Sequence, residues 1–301
     1  MLWVFLAISA YFLLALVELI DKKILSSPLL SPLTYAFYAS SLTVFALFLW
    51  PFDFSFLSPF YTILAFSAGA TFFVAIYFLY GAIIRGEVSR AVSIIGGLSP
   101  ILVFIFSIFF LNEKLRTHSL IAFFALITGS ILLSFTRDGE KYKFSKHFFL
   151  LAFLAAFFFA ASYGLTKAVF LQTTFLNGFV WMRVGTLLCC LAVLSRPHLR
   201  KIVFEGSKGF SRKLTTLFFF NKGISAIAHV ILNYAIAIGT VAIVNALQAV
   251  EYAFIFVLTL GFSYFLPHVF YESLSFKNLV SKMIGIALVS GGIILLFIGG
   301  A

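Results

Sequence analysis

Residues 218–262 read FFFNKGISAIAHVILNYAIAIGTVAIVNALQAVEYAFIFVLTLGF, two strongly apolar segments that are separated near Gly239. Residues three or four apart lie on one face of a helix, so the polar residues of each segment form a stripe. The first stripe contains Asn221, Ser225, His229 and Asn233, with Lys222 one position away, and the second contains Asn245, Gln248, Glu251 and Tyr252. A charged side chain at the centre of a membrane helix costs about 2.5–3.5 kcal/mol. Both stripes are therefore expected to face protein or a water-filled cavity.

The composition of the whole chain excludes a water-soluble globule. Of its 301 residues, 62% are hydrophobic, 42 are Phe and only 10% are charged. Apolar segments of about twenty residues, the length of a membrane-spanning helix, follow one another with no long polar region. The net charge of +11 comes mostly from loops, and no basic run with interleaved aromatic residues indicates a nucleic-acid partner. These features predict a multi-pass helical protein in a lipid bilayer.

Apolar segments and turn signals predict an all-α membrane protein with ten transmembrane helices. The predicted spans are Trp3–Ile20, Pro32–Trp50, Pro59–Ile84, Val88–Leu111, Ser119–Phe135, His147–Lys167, Asn177–Leu194, Leu214–Ile238, Val241–Phe265 and Leu279–Gly299. The segments RDGEKYKFSKH and SRPHLRKIVFEGSKGFSRK are interpreted as the two longer polar loops.

The two halves of the chain resemble each other. Ala125–Leu133 reads ALITGSILL and Ala287–Leu295 reads ALVSGGIIL, which are identical at five of nine positions. Further pairs in the same order are Lys23 with Lys167, Thr62 with Thr215, and Gly86 with Gly239. Because each half has an odd number of spans, the second copy enters the membrane from the opposite side, as in transporters with inverted repeats. We expect two inverted five-helix repeats, residues 1–135 and 147–301, joined by a polar loop at 136–146.

Four ionisable groups lie deep in predicted spans, namely Glu18, Arg183, Lys222 and Glu251. An unpaired buried charge is costly, so these groups either pair with one another or are held for a charged ligand or a proton. Lys23 and Lys167, near helix ends, are expected to extend toward the membrane surface. For His229, a hydrogen-bonded core residue is favoured over a proton carrier.

Helix 4 carries Gly96, Gly97 and Pro100 at mid-membrane depth. Proline removes a backbone donor, so a kink is expected there, either as a gating hinge or as simple tolerance of Gly and Pro in membrane helices. Two pairs of small residues, Ala125 with Gly129 and Ala287 with Gly291, predict close helix packing. Packing within the chain is favoured over dimerisation, and both a monomer and a homodimer remain open.

The segment YGAIIRGEVSRAVSIIGGLSPILVFIFSIFFLNEKLRTHSLIAFFALITGSILL, Tyr80–Leu133, resembles the signature helices of EamA-like transporters in the drug/metabolite transporter superfamily. The shared features are a helix rich in small residues with Pro100 in mid-span, then Glu113 before Lys114 and Leu115, and a glycine-bearing helix 5. The resemblance implies a carrier of amino acids, other metabolites or drugs in the cytoplasmic (inner) cell membrane, with a central cavity. It also implies cytoplasmic termini, whereas sixteen basic residues in odd-numbered loops, against three in even-numbered loops, favour termini outside.

These observations favour a secondary transporter that moves a small-molecule substrate by alternating access, with proton coupling as one option. The residues expected to bind substrate are Arg183, Asn221, Lys222, Ser225, His229, Asn245, Gln248 and Tyr252, and Glu251 is the expected coupling carboxylate. A lipid flippase or scramblase is the alternative, and an intramembrane enzyme is less favoured because HExxH, GxSxG and catalytic nucleophile patterns are lacking. Adjacent Cys189 and Cys190 suit neither a disulfide framework nor a metal site, and no cofactor is expected. Without a GxxxxGK[ST] loop, the energy is expected to come from a gradient or from the substrate itself.

Overall fold

A computed structural model of the chain describes residues 1–25, 31–85, 88–134, 146–207, 211–265 and 276–299. Within these ranges every regular element is a helix. The helices are α1 (Leu2–Leu25), α2 (Pro32–Ser41), a 3₁₀ helix (Leu42–Phe52), α3 (Pro59–Arg85), α4 (Val88–Leu111), α5 (Thr117–Ser134), α6 (Lys146–Phe170), α7 (Phe175–Ser195), α8 (Pro197–Ser207), α9 (Arg212–Ile238), α10 (Val241–Ala246), α11 (Gln248–Phe265) and α12 (Phe276–Ile298). The predicted connecting segment lies, apart from Lys146, outside the described residues, as do Gly86 and the side chain of Lys23.

The described part of the chain contains nine helical stretches that are long and apolar enough to cross a membrane. They match nine of the ten predicted spans. The remaining predicted span, Ser119–Phe135, corresponds to the shorter apolar stretch Thr117–Leu133 in α5. The prediction of a multi-pass helical membrane protein is therefore confirmed at this level.

Local sequence explains where two of the long spans begin. The Ser31 hydroxyl accepts a hydrogen bond from the Thr34 backbone N–H, and Pro32 occupies the first turn of α2. The Ser211 hydroxyl caps α9 in the same way, with Leu214 as the donor. Serine suits this position because its side chain satisfies a backbone N–H that has no partner inside the helix.

The segment interpreted as the second polar loop contains a helix, so that interpretation was wrong. Pro197 begins α8, and its fixed φ angle favours the first helical position. Leu199, Ile202 and Val203 follow at helical spacing, which puts them on one face. Val203 is buried, and the Ile202 carbonyl accepts a hydrogen bond from the Thr34 hydroxyl at 3.2 Å. The many charged residues on the opposite face hid this short amphipathic pattern.

The predicted ninth span, Val241–Phe265, is interrupted. The helix α10 ends at Ala246, Leu247 forms a turn, and α11 begins at Gln248. Leu247 keeps right-handed helical dihedrals, with φ −62° and ψ −8°, so the chain passes from α10 to α11 in a helical conformation.

Neighbouring helices approach each other most closely at glycine residues, which have no side chain. A Cβ atom on Gly69 of α3 would lie 2.0 Å from the Met182 carbonyl oxygen of α7, and one on Gly185 would lie 2.5 Å from the Phe66 carbonyl oxygen. The two helices are thus in backbone contact. Helices α3 and α6, α1 and α9, and α5 and α12 form the most extensive pairings.

One of the two predicted small-residue pairs mediates packing. A Cβ on Gly129 of α5 would lie 2.9 Å from the Gly285 carbonyl oxygen of α12, so this glycine allows the two helices to approach. The α12 side of the contact uses Gly285 and Gly292 rather than the predicted Ala287 and Gly291. Around a Cβ on Gly291 there is open space.

Candidate functional site

A cavity of about 550 Å³ lies among the helices. It is bounded by the 3₁₀ helix and by segments of α1, α2, α3, α4, α6, α7, α9 and α11, so both halves of the chain contribute to it. Its polar lining includes Glu18, Asp21, Ser99, Arg183, Lys222, Ser225, His229, Gln248 and Glu251, and its aromatic lining includes Tyr11, Phe72, Tyr80, Phe159, Tyr163, Phe179 and Tyr252. Charged groups on mostly apolar walls are typical of a ligand site.

Seven of the predicted site residues line this cavity, namely Arg183, Lys222, Ser225, His229, Gln248, Glu251 and Tyr252. Asn221 and Asn245 do not line it. The Asn221 amide donates to the Val17 carbonyl oxygen at 3.2 Å, and the Asn245 amide donates to the Val241 carbonyl oxygen at 2.9 Å. Both asparagines are buried and bind protein groups.

Lys222 is paired with Asp21, which lies outside the set of four deep charges named from the sequence. Its Nζ lies 2.9 Å and 3.1 Å from the two Asp21 carboxylate oxygens. The Asp21 carboxylate also accepts hydrogen bonds from the Asn221 amide, at 2.7 Å, and from the Tyr35 hydroxyl. This network joins α1, α2 and α9, and it neutralises one cation and one anion at the edge of the cavity.

Arg183 of α7 is a buried cation with aromatic neighbours. Its side chain is 9% exposed, and its guanidinium carbon lies 4.5 Å from the Phe179 ring centroid and 5.4 Å from that of Phe72. The ion pairs found within the described ranges do not include Arg183. Cation–π contacts offset part of its desolvation but leave its hydrogen-bond donors available for an anionic group.

Two carboxyl groups, Glu18 of α1 and Glu251 of α11, line the cavity and interact electrostatically with each other. Glu251 is 2% exposed, and Gln248 is its hydrogen-bonding neighbour. Neither carboxyl group is ion-paired with a basic residue in the described part of the chain. The cavity therefore holds two acidic groups and one basic group that have no structural counterion.

His229 is hydrogen-bonded within its own helix. Its Nδ1 lies 2.8 Å from the Ser225 carbonyl oxygen, so this nitrogen carries a proton and donates. The ring also packs edge-on against Phe72, with centroids 5.7 Å apart. These contacts agree with the interpretation of His229 as a hydrogen-bonded core residue.

Gly96 of α4 provides space for Tyr252 of α11. A Cβ atom at position 96 would lie 1.7 Å from the Tyr252 hydroxyl oxygen, so any larger residue would displace the phenol. Gly97 instead faces Ile131 of α5, at 3.6 Å. Helix α4 continues through Pro100, and a hinge function for these residues stays a prediction.

Lys167 does not extend to the membrane surface, so that expectation was wrong. Its side chain is 8% exposed, and Nζ donates to the carbonyl oxygens of Ile236, Ala237 and Gly239 at 3.0, 3.1 and 2.7 Å. These carbonyls end α9 and lack intrahelical partners. A cation at a helix C-terminus also stabilises the helix dipole.

Glu113 caps the other side of the same break. Its Oε1 accepts a hydrogen bond from the Val241 backbone N–H, at the first residue of α10, at 3.2 Å. Burial raises the pKa of the Glu113 carboxyl group, while the Val241 N–H and the Lys167 charge act in the opposite direction. The sequence indicated the break at Gly239, but no local pattern indicated that distant charged residues would hold its two ends.

We expect Lys167→Met to destabilise the protein strongly. Hydrogen bonds to charged groups contribute about 1.5–3 kcal/mol each, and the substitution leaves three carbonyls buried without a donor, so a loss of about 3 kcal/mol is expected. The measurement is the midpoint of thermal unfolding in detergent. Lys146→Met, at the exposed first residue of the same helix, is the matched control and should change little. Equal midpoints for the two variants would contradict the capping function.

Comparison with known proteins identifies both a family signature and a fold. The family model of the EamA-like transporter family matches residues 1–135. A search among curated proteins found no match. Among solved structures 26 chains match, and one, described as "Crystal structure of protein", superposes with a TM-score of 0.67 at 16% sequence identity, covering 97% of this chain and 97% of that chain. At this identity the likeness concerns the fold alone.

The family match points to a non-enzymatic membrane transporter of small solutes. The matched region contains Tyr80–Leu133, the segment whose motifs carried the resemblance. The prediction of that resemblance is confirmed: residues 1–135 carry the signature of the EamA-like transporter family, consistent with a member of the drug/metabolite transporter superfamily.

Proposed function

We propose that this chain is a secondary transporter of the inner cell membrane that moves a small charged solute by alternating access. Its ten helical spans would form two inverted five-helix repeats, residues 1–135 and 147–301. The observation that carries this proposal is the cavity lined by both halves, which holds the buried ionisable groups Arg183 and Glu251, neither of them ion-paired within the described part of the chain. Such groups are costly in a membrane protein unless a ligand or a proton uses them.

The helix pairings support inverted repeats. If α1 corresponds to α6 and α3 corresponds to α9, the α1–α9 pairing becomes equivalent to the α6–α3 pairing. Both are among the most extensive in the protein. The pairing of α5 with α12 is equivalent to itself under the same exchange, and it is also extensive. A pseudo-two-fold relation accounts for all three.

One pair of equivalent interfaces differs, which supports alternating access. Helix α3 packs closely on α7, whereas the equivalent contact of α9 with α2 and the 3₁₀ helix is little formed in the described part of the chain. In an inverted repeat, two equivalent interfaces close alternately as the gates exchange. The structure would then represent the conformation in which the α3–α7 side is closed.

Within this proposal, Arg183 binds the anionic group of the substrate and Glu251 couples transport to protons. Ser225, His229, Gln248 and Tyr252 would complete the binding surface. Lys222 would stabilise the protein through its ion pair with Asp21. Asn221 and Asn245 would stabilise the helices around the cavity through hydrogen bonds to backbone carbonyl oxygens.

We expect Arg183→Met to weaken substrate binding by about ten- to a hundredfold, because a charged hydrogen bond contributes about 1.5–3 kcal/mol. The wild-type substrate would first be identified by uptake of a mixed amino acid and organic acid panel into proteoliposomes, at two imposed pH gradients. Equilibrium binding of the solute that is taken up then compares the variants. Arg200→Met, on the exposed face of α8, is the matched control. Unchanged binding by Arg183→Met would remove this residue from the site, and wild-type vesicles that accumulate no solute of the panel at either gradient would contradict the proposed function.

A further inference from the structure

The cavity has an opening between the 3₁₀ helix and α9. Phe45 and Ile227 both line the cavity, yet their side chains are 62% and 59% exposed. A residue that faces both the cavity and the outside marks a gap in the wall. This agrees with the limited packing between these two elements.

The opening lies at mid-membrane depth. Phe45 is near the middle of the span Pro32–Phe52, and Ile227 is near the middle of Arg212–Ile238. Each residue rises by about 1.5 Å in an α-helix and about 2.0 Å in a 3₁₀ helix, so the central part of a span of this length lies among lipid acyl chains. Nearer one end of these helices, α2 and α9 meet through the Tyr35 and Phe218 rings, whose centroids are 5.4 Å apart. A gap at this depth would face lipid rather than water.

The rim of the opening is apolar. Phe48 is exposed and stacks on Phe45, and Val44 is exposed beside it. On α9 the rim includes Ala226, which lines the cavity and is exposed. A rim without charged groups admits a hydrocarbon chain and rejects a hydrated ion.

The interior contains one basic and two acidic groups. Arg183 and Glu251 are each at least nine-tenths buried, face the cavity, and lack an ion-pair partner in the described part of the chain. Glu18 adds a second acidic group near Glu251. A ligand headgroup with one cationic and one anionic group would satisfy both sides at once.

We propose that the substrate of this cavity is a single-chain zwitterionic amphiphile. Its headgroup lies between Arg183 and the two glutamates, and its hydrocarbon chain passes between Phe45 and Ile227 into the lipid. The inference deepens the proposed function, because the amphiphile would be the transported solute. Because the hydrocarbon chain need not fit inside the cavity, a longer hydrocarbon chain should bind with unchanged affinity.

The lateral opening is tested by spin-label accessibility in lipid nanodiscs. Ala226→Cys is labelled in a background in which Cys189 and Cys190 are replaced by Ala. We expect the label to be relaxed by oxygen, which concentrates in lipid, and to be protected from a water-soluble nickel chelate. Gly223→Cys, exposed on the same helix and outside the cavity lining, is the lipid-facing reference, and Lys201→Cys on α8 is the aqueous reference. Relaxation at position 226 by the nickel chelate as strong as at position 201 would overturn the lateral opening.

The ligand class is tested by equilibrium binding of 2-aminoalkanoic acids, from aminooctanoic to aminotetradecanoic acid, with affinity expressed per mole fraction in the nanodisc lipid. We expect the affinity to stay constant within about threefold along the series, because each added methylene either moves from lipid to the apolar cavity wall or, beyond the opening, stays in lipid. A closed cavity predicts loss of binding for the longer chains, which would overturn the proposal. Alkanoic acids and alkyltrimethylammonium ions of the same lengths should bind at least tenfold more weakly, and equal binding of either would overturn the zwitterionic headgroup.

A matched pair of variants tests where the hydrocarbon chain of the ligand leaves the cavity. Ala226→Trp should reduce binding of aminotetradecanoic acid at least tenfold and leave aminooctanoic acid within threefold, since only the long chain crosses the opening. Gly223→Trp, three residues earlier and outside the cavity lining, should leave both unchanged. Equal effects of Ala226→Trp on both ligands would contradict the proposal. Binding in nanodiscs requires no transport, so a protein that binds the series but accumulates no solute would refute the proposed function alone.

Discussion

Glu251→Gln is expected to abolish proton-driven accumulation of substrate while retaining substrate exchange. Glutamine keeps the size and much of the hydrogen bonding of glutamate but cannot bind and release a proton. Glu251 is buried, faces the cavity together with Glu18, and has no ion-pair partner in the described ranges. Its charge state can therefore respond to the charge of the substrate, which is the physical requirement for coupling.

Two transport measurements on the same proteoliposomes separate the possibilities. Accumulation under an imposed pH gradient requires net proton movement, whereas counterflow exchange of labelled for unlabelled substrate does not. Glu251→Gln should reduce accumulation under the pH gradient at least tenfold and keep the rate of counterflow exchange within about threefold of wild type. Glu205→Gln, which removes an exposed carboxylate on α8, is the control and should keep both. Full accumulation by Glu251→Gln would exclude it as the coupling group, and loss of both activities would indicate a structural function.

Lys222→Met is expected to destabilise the protein by about 3–5 kcal/mol, because it leaves the Asp21 carboxylate, whose side chain is only 14% exposed, without its cation. The short contacts from Nζ to both carboxylate oxygens, and the further donors from Asn221 and Tyr35, indicate a structural network. Replacing both partners with uncharged residues removes the cost of the unpaired charge. The double variant Asp21→Asn with Lys222→Met should therefore recover most of the stability.

Thermal unfolding of the two single variants and the double variant, as a double-mutant cycle, measures this coupling. Lys201→Met provides the comparison, because its partner Glu205 forms an exposed pair that contributes little. If Lys222→Met unfolds like wild type but binds substrate at least tenfold more weakly, Lys222 acts on substrate, as its position in the first polar stripe predicted. The sequence alone left both functions open.

The polar stripes show how far helical spacing could lead. It identified Ser225, His229, Gln248 and Glu251 as residues facing away from lipid, and all four line the cavity. The same spacing assigned Asn245 to that surface, yet its amide donates to the Val241 carbonyl oxygen and the residue does not line the cavity. Spacing gives the face of a helix on which a residue lies, but it does not give how far along the helix axis a cavity extends.

The partners of the buried charged residues could not be predicted from the sequence. Lys167 near a helix end was expected to reach the membrane surface, yet it binds the end of α9, about seventy residues away along the chain. Lys222 was considered with Glu18 and Glu251, yet it pairs with Asp21. A lysine side chain reaches several ångströms in any direction, so small rotations of neighbouring helices decide its partner.

Hydropathy and helical spacing determined that this chain is a helical membrane protein with polar stripes turned from lipid, because bilayer thickness sets the length of a span and water-free surroundings penalise exposed charge. The motifs of Tyr80–Leu133 determined the family resemblance of the first half. Tertiary structure decided which charges pair and which ionisable residues line the cavity. These depend on the packing of helices that are distant in sequence, and no local pattern encodes the rotation of one helix against another.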